Sequence, residues 1–152
     1  LLNISKDIYT ANDAFFLGRG VDYPVAMEGS LKLKEISYIH SEAYAAGELK
    51  HGPISLIVNN FPVIGIITDE ELAPKTISNI QEVISRGART IIITNQEINK
   101  TFDYVIQIPK VNKYLSPVLS VIPLQILAYY IAKEKGLDVD KPRNLAKSVT
   151  VE

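Results

Sequence analysis

Four short runs along the chain are apolar at almost every position: AFFLG (14–18), PVIGII (62–67), TIIIT (90–94) and DYVIQI (103–108). Each is rich in β-branched or aromatic side chains and bounded by Gly, Pro, Asn or Asp, the pattern of strands buried in a parallel sheet. Between them the period becomes helical. Residues 74–86, PKTISNIQEVISR, place Ile77, Ile80 and Ile84 on one face, and Gly87 supplies a stop signal. Ser116 and Pro117 suit the cap and first position of a long apolar helix reaching about Lys135, in which Pro123 predicts a kink. The opening LNISKDIYTA reads as an amphipathic helix. Strands alternating with helices predict an α/β fold, a parallel sheet covered on both faces through right-handed crossovers. No internal repeat and no low-complexity segment interrupts this pattern.

One more helix is predicted over 23–39, with Pro24 in its first turn, where a missing N–H costs nothing, and Asp22 as its N-cap. At about 100° per residue, Glu28, Lys32 and Glu35 fall within roughly 60° of one another. Val25, Leu33 and Ile36 border this charged stripe on one side, and Met27, Leu31 and Tyr38 on the other. A narrow charged stripe between apolar margins suits a helix that lines a crevice. Taken alone, the same three residues read rather as surface salt links worth tenths of a kcal/mol each. The loop that follows, GELKHGP, fixes the backbone around His51 with Gly47, Gly52 and Pro53. A histidine held in such a loop is either a structural residue or a proton carrier.

After Gly136 the pattern stops. LDVDKPRNLAKSVTVE has neither period and reads as an extended tail, pinned by its side chains; by composition alone its Lys147 would be a solvated terminal residue. The division expected is therefore a domain over 1–136 and a tail over 137–152.

Composition narrows the function. With 152 residues, 47% of them hydrophobic, the chain can bury one sizeable core. A net charge of −1 without a long basic cluster argues against a nucleic-acid partner. No apolar run is expected to span a bilayer and no signal peptide opens the chain, so the expected location is the cytoplasm. The absence of cysteine excludes disulfides, thiolate metal sites and thiol catalysis. His40 and His51 alone make no convincing metal set, and His40 reads as a satisfied residue at a helix end. No cofactor is expected. A chain opening on Leu1 reads as part of a longer protein.

The segments EGSLKLKEISYIHSEAYAAGELKHGP (28–53) and PRNLAKSVTVE (142–152) resemble the second sugar isomerase (SIS) half of the isomerising glutamine:fructose-6-phosphate aminotransferases, and the likeness runs from Leu17 to the last residue. LGRG (17–20) is a weak signal by itself; the tail is a specific one. The resemblance implies a SIS fold and conversion of fructose 6-phosphate, with ammonia from glutamine, into glucosamine 6-phosphate. It implies Lys147 as the Schiff-base lysine, Glu35 as the base for proton transfer between C1 and C2, and His51 as the ring-opening proton carrier, acting across a homo-oligomer interface. Lys32 and Glu28 would orient that base, and Lys32, Glu35, Ala146 and Lys147 would meet the substrate. Arg143 and Asn144 are expected to anchor the tail, although an arginine here also suits a phosphate clamp. Gly18, Arg19 and Gly20 lie where backbone N–H groups can hold an anion. The family's glutaminase domain uses an N-terminal cysteine and its first SIS half a phosphate loop of the S-x-S-G-x-T kind; neither is found here, so both would belong to missing parts of a parent chain. Two alternatives stand beside this reading: a SIS module that binds a sugar phosphate for regulation, and a fructosamine-type deglycase.

Overall fold

The computed structural model describes residues 1–145. Its elements are α1 (Leu2–Ile8), β1 (Asp13–Gly18), α2 (Asp22–Ser37), β2 (His40–Ala45), β3 (Pro62–Ile67), α3 (Ala73–Ile84), β4 (Arg89–Thr94), β5 (Tyr104–Gln107) and α4 (Ser116–Glu134). The five strands form one sheet in the order β2-β1-β3-β4-β5, and every pairing is parallel. Two consecutive 3-10 turns, Ala46–His51 and Pro53–Leu56, carry the chain from β2 toward β3.

Alternation along each strand feeds two cores. Phe16, Ile64, Ile66, Ile91 and Ile93 face α1, α2 and α4, where they meet Ile4, Leu33, Leu124 and Ile131. Phe15, Leu17, Val63, Ile67 and Ile92 face the other way, onto Leu49 of the first 3-10 turn and Ile80 and Val83 of α3. The expected α/β sheet with helices on both faces is thus present. Close approach of α2 to α4 depends on Gly29: a Cβ there would stand 2.7 Å from Leu124 Cδ1 and 3.0 Å from Phe16 Cε1.

Several local expectations are corrected. β2 went unpredicted because HSEAYA lacks an apolar run. It is an edge strand whose only partner is β1, so its outer side needs no buried face. His40 begins that strand rather than ending a helix; its Nδ1 lies 2.9 Å from Asp13 Oδ1, and the ring is largely exposed. Asp22 is not an N-cap. Val21 is already helical at φ −66° and ψ −21°, so Asp22 opens the first turn, and its carboxylate turns instead to the loop after β3. Leu115 rather than Ser116 caps α4; Ser116 is helical and its hydroxyl donates to the Lys113 carbonyl at 2.7 Å. α4 runs through Pro123 as one helix.

At 19 residues, α4 is also long and apolar enough, by length and composition, to cross a bilayer, contrary to the sequence expectation. Its Leu124, Leu127, Ala128 and Ile131 are buried against the sheet and neighbouring helices, the position of a core helix.

Candidate functional site

α2 presents the charged stripe on its outer face. Lys32 Nζ donates to Glu35 Oε2 at 2.7 Å and lies 3.6 Å from Glu28 Oε1, so one ammonium is held between two carboxylates, one a turn before it and one a turn after. All three side chains are half-buried, with 22% of Glu35 exposed, because Met27 and Leu31 flank them on the surface. The hydrogen bond from Lys32 to Glu35 is the main cause of a lysine pKa pushed above its ordinary value; partial burial opposes it, and the charges of Glu35 and Glu28 add to it. Lys32 is thus held toward its charged form, which suits it to stabilise negative charge.

Buried hydrogen bonds tie the middle of this helix to β2. Ser30 and Ser41 hydroxyls meet at 3.0 Å, Ser41 Oγ also donates to the Ser30 carbonyl, and both residues are buried between α2 and β2. At its end the chain turns through Tyr38, which adopts φ 60°. That turn sets the Tyr38 ring outward, where its hydroxyl accepts a hydrogen bond from Arg143 N at 2.8 Å and the Arg143 guanidinium lies 4.2 Å over its face. Arg143, Asn144 and Leu145 then line a shallow cleft of about 380 Å³ together with Leu31, Glu35 and Tyr38. The tail therefore arrives beside Glu35. Ala146 and Lys147 lie outside the described residues.

His51 ends the first 3-10 turn, with 72% of its side chain exposed and Nδ1 2.9 Å from Glu48 Oε2. Among the described residues no hydrogen bond or ion pair joins it to the α2 stripe. Sequence reading missed what holds this turn. Arg19, at the end of β1, donates from Nη2 to Asn79 Oδ1 on α3 at 3.3 Å and packs directly on Gly47, where any Cβ would collide with the guanidinium. The signal was present as a glycine facing an arginine between glycines, but only the fold puts the two together. No metal-binding group of three or more His, Cys, Asp or Glu occurs among the described residues.

A family model of the SIS domain matches residues 7–134. The chain belongs to the SIS domain family. This SIS chain is 62% identical over 148 residues to the isomerising glutamine–fructose-6-phosphate aminotransferase of Clostridium perfringens, covering 94% of the chain and 24% of that relative. Among solved structures it resembles the C-terminal domain of glucosamine-fructose-6-phosphate aminotransferase from Francisella tularensis, with 44% identity, a TM-score of 0.87 and coverage of 92% of this chain and 40% of that one. A glucosamine-6-phosphate deaminase from Thermotoga maritima is similar at 28% identity and a TM-score of 0.72, over 97% of this chain and 45% of that one. The SIS chain spans about a quarter of the length of the curated relatives it matches.

Proposed function

We propose that this SIS chain is the second isomerase half of an isomerising glutamine:fructose-6-phosphate aminotransferase, which makes glucosamine 6-phosphate from fructose 6-phosphate and glutamine-derived ammonia. The observation that carries the reading is Glu35, paired to Lys32 on a helix tied to β2 and placed where the tail arrives. A carboxylate that must shuttle a proton between adjacent carbons needs a fixed position and a nearby cation to stabilise charge on the substrate. The identity to relatives of that name, 62% over 148 residues in one case, supports the assignment.

In this reading the tail lysine Lys147 attacks C2 of the open ketose as a neutral amine. Water leaves as the imine forms, and ammonia then displaces the lysine so that its nitrogen stays on C2. Glu35 takes a proton from C1 and a proton is returned to C2, turning the ketose skeleton into an aldose. Lys32 stabilises the charge that develops, and Glu28 holds Lys32. His51 opens the sugar ring from a neighbouring subunit; its exposure, with Glu48 as partner, supports a role outside its own α2 face. Arg143 and Asn144 serve as tail anchors, a role supported by the Tyr38 contacts.

The test is Glu35→Gln in the full-length protein. Proton transfer by a positioned base contributes about 10²–10⁴-fold, and solvent-proton exchange at C1 should fall by that factor while substrate affinity changes little. Exchange at the wild-type rate would remove Glu35 from the reaction.

A further inference from the structure

A second cleft opens at the carboxyl ends of β3, β4 and β5, the edge of a parallel sheet where ligands bind. It encloses about 280 Å³ and is lined by Thr68, Asp69, Glu70, Glu71, Asn95, Lys110 and Lys113, with Val111 at its rim. A phosphate would ordinarily be met there by the amides at the end of a strand. Here those amides are taken: Thr68 N donates to Asp22 Oδ2 at 2.9 Å, Asp69 N reaches the same oxygen at 3.3 Å, and the Thr68 hydroxyl donates to Asp22 Oδ1. An internal carboxylate fills the anion position.

The remaining groups have the opposite preference. Lys113 lies 2.8 Å from Asp69 Oδ2 and Lys110 pairs with Glu70, which leaves one carboxylate in excess among three acids and two lysines. Lys113 therefore already meets the buried Asp69 Oδ2 with its own ammonium, and this pairing raises the lysine pKa above its ordinary value. Asn95, just past the end of β4, is 92% buried and its side-chain oxygen has no hydrogen-bond partner. A buried unmatched acceptor costs free energy unless something donates to it. Asn95 calls for a donor, and the excess negative charge, carried at the exposed Glu71, calls for a cation.

We propose that this cleft binds a small molecule carrying a primary ammonium group, either the free ammonium ion or an amino sugar, and that it rejects phosphate. The ammonium would donate to the Asn95 side-chain oxygen, with Glu71 balancing its charge. This site is separate from the α2 face, and the proposal does not rest on the isomerase reading.

The test is a titration of the isotope-labelled protein at constant ionic strength, following the Asn95 side-chain amide by NMR, with ammonium chloride, glucosamine, glucose and sodium phosphate as probes. Ammonium and glucosamine should shift the signal saturably, and glucose and phosphate should not. Tighter binding of glucosamine assigns the amino sugar; equal or tighter binding of ammonium assigns the ion. Glu71→Gln, on an exposed side chain that folding does not need, should weaken the amine by roughly tenfold, the scale of a lost contact to a charged group. Asn95→Asp should tighten it by adding a charge. A glucose shift equal to that of glucosamine, saturable phosphate binding, or unchanged affinity in Glu71→Gln would overturn the proposal. None of these readouts involves fructose 6-phosphate, so failure here leaves the isomerase reading intact.

Discussion

Asp22 shows how one side chain can decide what a sheet edge binds. Its carboxylate is buried at the heart of the fold and accepts from Thr68 and Asp69, yet burial dominates and raises its pKa above the ordinary value of 3.8; the hydrogen bonds work in the other direction and the Asp69 charge adds to the rise. A raised carboxyl pKa means that the folded state holds the proton more tightly than the unfolded chain does. The contribution of Asp22 to stability therefore falls as pH rises from 3.8 through the folded value. Asp22→Asn keeps the shape and removes the ionisation. The urea midpoint of the wild type relative to this variant should be highest in acid and decline toward neutral pH; a difference that is flat or grows with pH would show that hydrogen bonding, not burial, governs the group. Nothing in the sequence around Asp22 announced this role. An aspartate two residues ahead of a proline and a helix is a good cap by local rules, and only the loop from β3, forty-six residues away, redirects it.

At the scale of elements, the parts that could be read were those whose signal is local. β1, β3 and β4 announced themselves as apolar runs because both faces of each interior strand meet a core; β5, at the sheet edge, was legible from the β-branched and aromatic residues of its short run, and α3 showed itself through a single-sided isoleucine stripe. β2 did not, because an edge strand with half-exposed side chains carries no comparable pattern. The stripe of Glu28, Lys32 and Glu35 was legible from helical spacing alone. The support of the His51 turn was not, since it joins the end of β1, α3 and Gly47. That support has a consequence for function. Arg19→Lys keeps the charge but loses the planar group that both fills the space over Gly47 and reaches Asn79. If His51 opens the sugar ring, displacement of its turn should slow turnover of the cyclic ketose by up to about 10²-fold while solvent exchange at C1 of the open-chain substrate is retained. Parallel kinetics on the two substrate forms check this, and equal losses in both would indicate a general loosening of the fold.

The whole molecule presents a site that is assembled rather than contained. The α2 face holds a lysine between two carboxylates, His51 is exposed and paired with Glu48 without a bond to that face among the described residues, and the amides of Thr68 and Asp69 are taken by Asp22. On the outer side of α4, Val118, Ile122, Ile126 and Tyr129 are exposed, as are Met27 and Leu31 on the adjoining surface of α2. An apolar face of that kind suits cover by another part of a larger assembly. The covalent step is the sharpest test of the assembly. Two lysines are in reach of the argument, Lys32 on α2 and Lys147 in the tail. Lys32 is pushed toward its charged form by Glu35 and Glu28, whereas imine formation needs an uncharged amine. In the proposed reading attack then comes from the tail lysine; Arg143, held by Tyr38, lines the cleft shared with Glu35. Borohydride reduction of the full-length protein in the presence of fructose 6-phosphate should leave a sugar adduct on Lys147, located by peptide mass spectrometry. Lys147→Arg, whose guanidinium stays protonated, should abolish both the adduct and turnover. If, as the proposed reading has it, the groups that hold the phosphate belong to the rest of a parent protein, the 152-residue chain alone, tested with fructose 6-phosphate and ammonia, should show no turnover. An adduct on Lys32 would mean that substrate binding strips that lysine of its proton despite two carboxylates, and the assignment of nucleophile and electrostatic partner would have to be exchanged.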